Sequence, residues 1–146
     1  MYKPYRFTPH YYETDAMGIV HHSNYIRRFE DTRLDFLAQA GYPYERMESE
    51  GLMIPVRGVS VEFKNAVRFG DNVEIMPTIK EFNGFNLKVS YTVINADTGV
   101  LCATGTSEHF FTDKELRPVR TKHKYPDVYK VFHDALEEIL TPNEIR

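Results

Sequence analysis

A chain of 146 residues, 42% hydrophobic and 27% charged, has room for one packed core and excludes disordered and fibrous classes. Its formal charge of −3 argues against general electrostatic attraction to nucleic acid or anionic membrane, so neither is expected as a partner. One cysteine, Cys102, excludes an internal disulfide framework, and no run reaches the ~18 apolar residues of a secretory or membrane segment, so a single cytoplasmic domain over 1–146 is expected.

Tyr5, Phe7 and Tyr11 fall at period two and predict a first strand over 5–12, with Pro9 confining it to an edge or bulge. A loop over 13–22 follows and carries Asp15 and Gly18. Ser23 is the expected N-cap, since its hydroxyl can accept from a free first-turn amide. Ile26, Phe29, Arg33, Phe36, Leu37 and Ala40 then fall along one broad face and predict a helix over 24–40 packed deep on a sheet. Gly41 supplies its stop.

After a Gly/Pro-punctuated loop the period becomes two. Val59, Val61 and Phe63 form one run, and Val73, Ile75 and Ile79 a second, interrupted by Pro77. Asn83-Gly84 turns the chain into Phe85, Leu87, Val89, Tyr91 and Val93, and Asp97-Thr98-Gly99 turns it again into 100–112. These runs predict an antiparallel meander rich in aromatics. Pro126 opens a terminal helix through Val128, Val131, Phe132, Ala135, Leu136, Ile139 and Leu140, with Pro142 at its exit. The fold class is α+β, a long helix enclosed by a curved antiparallel sheet.

The chemistry concentrates between Tyr11 and Tyr25: Asp15, Gly18, His21, His22 and a helix start lie within fifteen residues. First-turn amides lack intrahelical partners and sum to roughly half a positive charge, so they can stabilise an oxyanion. A carboxylate on the preceding loop can attack the polarised carbonyl or activate a water beside it. Plainer readings stand beside these. Asp15 can be a turn residue, His21 and His22 loop residues, and Tyr11 a core strand aromatic. Glu30 and Arg33, three apart, suit a structural ion pair, and Cys102 suits packing. No phosphate loop, zinc spacing or GxSxG elbow is present, so no cofactor or metal is expected.

The segment Asp15-Ala-Met-Gly18-Ile-Val20-His-His22-Ser-Asn24-Tyr25 resembles the signature of the hotdog-fold thioesterases of the 4-hydroxybenzoyl-CoA and short-chain acyl-CoA type. The resemblance in element order runs to about Thr112. It implies a five-stranded antiparallel sheet around the central helix, with a C-terminal helix added. It also implies homodimers with a continuous sheet, assembled further into homotetramers, and active sites between subunits. Carried over, it makes Asp15 the base or nucleophile and the His22 amide the oxyanion donor. His22 and Tyr11 become assisting catalytic groups, and Gly18 and Tyr25 substrate-binding positions. His21 receives no catalytic role. The implied activity is hydrolysis of an acyl-CoA to acid and CoA. Alternatives are an acyl-carrier-protein thioesterase and a non-catalytic acyl-CoA-binding protein. Arg117, Arg120, Lys122 and Lys124 form the densest basic cluster and read as a solvated face rather than a CoA-phosphate site.

Overall fold

The computed structural model describes residues 2–139; the expected continuation through Leu140 and the exit at Pro142 lie outside them. Five antiparallel strands, β1 (Tyr5–Phe7), β2 (Val56–Phe63), β3 (Val73–Phe82), β4 (Asn86–Asn95) and β5 (Leu101–Phe110), form one sheet in the order β1-β3-β4-β5-β2. Four helices accompany them: α1 (Ser23–Gln39), α2 (Tyr44–Ser49), α3 (Thr121–Lys124) and α4 (Pro126–Ile139). Leu87, Val89, Tyr91 and Val93 of β4 are buried in alternation, as the period-two pattern predicts, and face α1 together with Ala103 and Gly105 of β5.

Three local expectations are corrected. The first strand stops at Phe7, because Pro9 donates no ladder bond; the chain instead makes a 3-10 turn over Tyr11–Glu13, and Tyr11 leaves the sheet. The first helix begins at Ser23 with His22 as N-cap, and the Ser23 hydroxyl bonds the His21 Nδ1 at 2.9 Å instead of a backbone amide. The interval expected as plain loop between Gly41 and the second strand contains α2, held to α4 by ion pairing of Arg46 with Asp127. Pro77 is tolerated within β3 because β1 pairs only as far as Ile75, leaving no partner on that edge for the missing N–H.

The two halves of α1 sit differently on the sheet. In the first half, Tyr25 meets Phe63 edge-on and Phe29 stacks on Tyr91 at 4.1 Å between centroids. That contact requires Gly105, since a Cβ there would stand 2.5 Å from the Phe29 ring. In the second half Phe36 and Leu37 are buried, Phe36 against Phe132 of α4, and Leu34 and Leu37 face β3 and β4 across a gap. A cavity of about 590 Å³ remains between them, walled by Leu34, Leu37, Ile79, Leu87 and Val89.

Candidate active site

The segment before α1 folds as a short antiparallel ladder. The Asp15 amide donates to the Ile19 carbonyl, Thr14 bridges Val20, and the His21 amide donates to the Glu13 carbonyl. Gly18 takes φ +78° at its tip, a left-handed conformation costing an L side chain roughly 1–2 kcal/mol. Asp15 is half-buried, and its Oδ1 accepts from the Met17 amide at 2.8 Å. This turn fixes the carboxylate without closing a network around it: among the described residues, Oδ2 has no protein partner.

At the other end of the ladder the first-turn amides of α1 are accounted for individually. Ser23 donates to the His21 Nδ1 at 3.2 Å, Asn24 to the His21 carbonyl and Tyr25 to the His22 carbonyl. Among the described residues the His22 amide alone of these has no protein acceptor. His21 therefore caps the helix, a role that its Nδ1 lone pair explains and that no spacing in the sequence announces. Two ladder residues separate the Asp15 and His21 levels, roughly 7 Å along the strand direction.

A residue outside the expected set holds this assembly together. Glu13 is buried, and its carboxylate receives Arg28 at both oxygens, Nη2 at 2.5 Å and Nε at 3.1 Å. The His10 amide adds a third bond at 2.8 Å, and the Arg28 guanidinium also lies 4.0 Å above the Phe7 ring. Burial opposes ionisation of Glu13, but the Arg28 and His10 bonds outweigh it and hold the carboxyl below its usual value. The Glu13 carbonyl also accepts from the Asn24 side chain at 2.8 Å, so one residue ties the ladder to both β1 and the helix start. Its sequence signal was a Glu and an Arg on separate elements, fifteen residues apart, which no helical or strand spacing links.

The other expected residues are distributed as follows. His22 is exposed and its ring lies 4.0 Å from that of His21. Tyr11 is 77% exposed and meets Phe69 edge-on. Tyr25 is buried, and desolvation pushes its phenol up to about 12, so the hydroxyl stays protonated and neutral. Glu30 and Arg33 do not pair: Glu30 is exposed, while Arg33 turns inward and donates to the Tyr91 hydroxyl at 3.1 Å. Arg117 of the basic cluster is engaged by Asp113 and Glu115. Cys102 is buried, and desolvation raises its thiol pKa, consistent with packing.

No described helix is long and apolar enough to cross a membrane. The profile of the thioesterase-like superfamily matches residues 9–138. YneP of Bacillus subtilis, provisionally named an acyl-CoA thioesterase, is 32% identical over 86% of this chain and 91% of its own. YbgC of Escherichia coli, named an acyl-CoA thioester hydrolase, is 28% identical over 63% of this chain and 69% of its own. Among solved structures, a DHNA-CoA thioesterase from Staphylococcus aureus superposes with a TM-score of 0.88 at 26% identity, covering 98% of this chain and 94% of that one. With the five-stranded sheet and its central helix, these matches establish that the chain belongs to the thioesterase-like superfamily and has the hotdog fold.

Proposed function

We propose that the protein hydrolyses acyl-CoA thioesters to a free acid and CoA, using Asp15 and the α1 N-terminus. The observation that carries this reading is the pairing of an unengaged Asp15 Oδ2 with an unengaged His22 amide on one short ladder. The thioester carbonyl oxygen accepts from the His22 amide, which sits at the positive end of α1 and strengthens its bond as the oxyanion forms. An oxyanion donor of this kind contributes roughly 2.7–4 kcal/mol of transition-state stabilisation. Asp15 then acts by one of two routes. As a base it takes a proton from water, the hydroxide adds to the carbonyl carbon, the C–S bond breaks and the proton passes to the departing thiolate. As a nucleophile it adds to the carbonyl carbon, the C–S bond breaks and CoA leaves as the thiolate. Water then opens the mixed anhydride, releasing the acid and restoring the Asp15 carboxylate, and its proton goes to the thiolate. Gly18 keeps the Asp15 turn in shape, while on family resemblance the exposed His22 and Tyr11 assist catalysis and the buried Tyr25 contributes to substrate binding.

The names of the relatives support an acyl-CoA substrate. Replacement of Asp15 by Asn should abolish thiol release over a panel of acyl-CoAs while leaving the far-ultraviolet circular dichroism unchanged. Wild-type rates in that variant would sink the reading. A single turnover in 18O-water identifies the nucleophilic route when label enters the Asp15 carboxyl, which happens only if water opens the anhydride at that carbon.

A homodimer is part of the same proposal. β2 is an edge strand, and Val56, Val59 and Phe63 on it are 50%, 40% and 54% exposed. An open apolar edge is an aggregation hazard unless a second copy continues the sheet. Assembly of dimers into tetramers is proposed on family resemblance. A cytoplasmic site of action agrees with the single, buried thiol.

A further inference from the structure

The cavity beneath the second half of α1 holds an unusual charge. Its walls are apolar, yet the half-buried Arg33 reaches into its lining from the helix. Among the described residues no carboxylate pairs with that guanidinium; its one protein partner is the neutral Tyr91 hydroxyl. The remaining charges on the lining, Glu30, Glu48 and Lys114, are all exposed. A guanidinium withdrawn from water without a counter-ion is costly, and the cost is offset when an anion meets it.

Behind Arg33 runs a buried polar chain. The Tyr91 hydroxyl contacts Ser107 Oγ at 2.6 Å, and Ser107 Oγ contacts His109 Nε2 at 2.7 Å. Because Arg33 donates to the Tyr91 oxygen, the ordering that satisfies both hydroxyl protons runs from Tyr91 to Ser107 to His109. It leaves Nδ1 of His109 protonated, and that buried atom has no partner among the described residues. The His109 ring lies beside the Ile54–Pro55 backbone, which also forms part of the cavity wall. Every group in the chain is thus arranged to donate or to remain neutral, and none supplies the negative charge that Arg33 lacks. The mouth carries Leu116 at φ +63°, a strained conformation for a branched residue, held by Asp113, whose Oδ1 accepts from the Arg117 amide at 3.0 Å.

We propose that this cavity is a binding site for a carboxylate borne on an apolar body, with Arg33 as the anion's partner. At about 590 Å³ it lies within the ~300–1,000 Å³ of ordinary small-molecule sites. Two molecules offer that chemistry: a free carboxylic acid, such as the product of thioester hydrolysis, or an acyl group with a second carboxylate at its far end. The second source rests on the hydrolase reading; the binding itself does not.

Calorimetric titration of the full chain, in both the native and Asp15→Asn proteins, tests the site without reference to turnover. The probes are hexanoate, decanoate and 2-naphthoate, each compared with the corresponding alcohol. At least one acid should bind tenfold or more tightly than its alcohol, and Arg33→Met should erase the difference while Arg33→Lys keeps part of it. Equal binding of acid and alcohol, or binding of neither across all three pairs, overturns the proposal. Unchanged acid preference in a folded Arg33→Met protein overturns it as well. A Leu87→Trp substitution, which fills the cavity, should remove binding of acid and alcohol together. To separate the sources, decanoyl-CoA is compared with the mono-CoA thioester of decanedioic acid. A tenfold higher kcat/KM for the latter, lost in Arg33→Met, assigns the anion to the substrate. Competitive inhibition by decanoate with no such preference assigns it to the free acid.

Discussion

Arg28 grips the Glu13 carboxylate at both oxygens, and the Glu13 carbonyl in turn holds the His21 amide and the Asn24 side chain. A pair formed between the turn before the Asp15 loop and the helix after it therefore fixes both flanks of the proposed site. Neither residue needs to touch substrate for its loss to be felt there.

Breaking this pair from one side should be severe. Arg28 and Glu13 side chains are only 13% and 5% exposed, and stranding one charge of a buried pair costs roughly 3–5 kcal/mol. Arg28→Met is expected to lower the unfolding free energy measured in urea by that order and to reduce kcat together with stability. Combining Arg28→Met with Glu13→Gln should recover part of the loss, because no unpaired charge is then left inside. A double-mutant cycle in urea checks this; strict additivity would count against the coupling.

Acid should weaken the fold before its carboxylates titrate. Burial, reinforced by the Arg33 charge, pushes the His109 imidazole down from 6.5 to about 4. The unfolded chain binds a proton between those values and the folded chain does not, so stability falls as pH drops through that window. The loss is on the order of 3 kcal/mol. Glu13, held below the usual 4.5, adds a second loss at lower pH, where its ion pair is protonated away. Chemical denaturation at a series of pH values should show the upper slope flatten in His109→Gln and persist in Glu13→Gln.

At Gly105 the expected penalty is steric. An added methyl would meet the Phe29 ring at 2.5 Å and the Ser60 carbonyl oxygen at 2.9 Å. Gly105→Ala should lower stability by roughly 1–3 kcal/mol as the helix and β5 move apart. Phe29→Leu in the same protein should relieve only the ring's share, leaving the backbone contact. Thermal melts of the three variants give the comparison.

Gly18 makes a contrasting case. A methyl group at this position would find nothing within 4 Å, so Gly18→Ala meets only the backbone cost of φ +78°. A loss of roughly 1 kcal/mol is expected, less for Asn, which tolerates the left-handed region. Turnover should fall more than stability does, since the Asp15 turn is what shifts. Parallel melts and kcat measurements would expose a purely structural effect as equal changes in both.

Homodimerisation across β2 is checked by sedimentation. Phe63→Glu with Val59→Glu places charge on the exposed edge and should shift the protein toward monomer with its circular dichroism retained. If the native chain sediments as a monomer, the shared-sheet arrangement is wrong.

The meander and both long helices were legible because period two and period 3.6 survive in local sequence. Leu87, Val89, Tyr91 and Val93 are buried in alternation, and Gly41 turns left-handed at φ +84° after α1. The errors arose where tertiary partners overrule spacing. Glu30 and Arg33 stand at an ion-pair interval, but the sheet offers Arg33 a phenol in the interior, and only the folded chain reveals that competitor. Ser23 looked like a cap because nothing local shows that the preceding His21 ring would take the amide instead. α2, with only six residues, has too few turns to leave a periodic signal in the sequence. Asp15 and Gly18 are proposed on a recognisable motif; Glu13, whose partner is fifteen residues distant, has no such flag.

The uneven seating of α1 has an evolutionary corollary. Its first half is clamped through Phe29 on Gly105, so substitutions beside the proposed site meet a rigid template. Its second half borders the cavity, where wall residues can change size while the clamp stays set. A lineage built this way can drift in what it accepts without relearning how to cleave it.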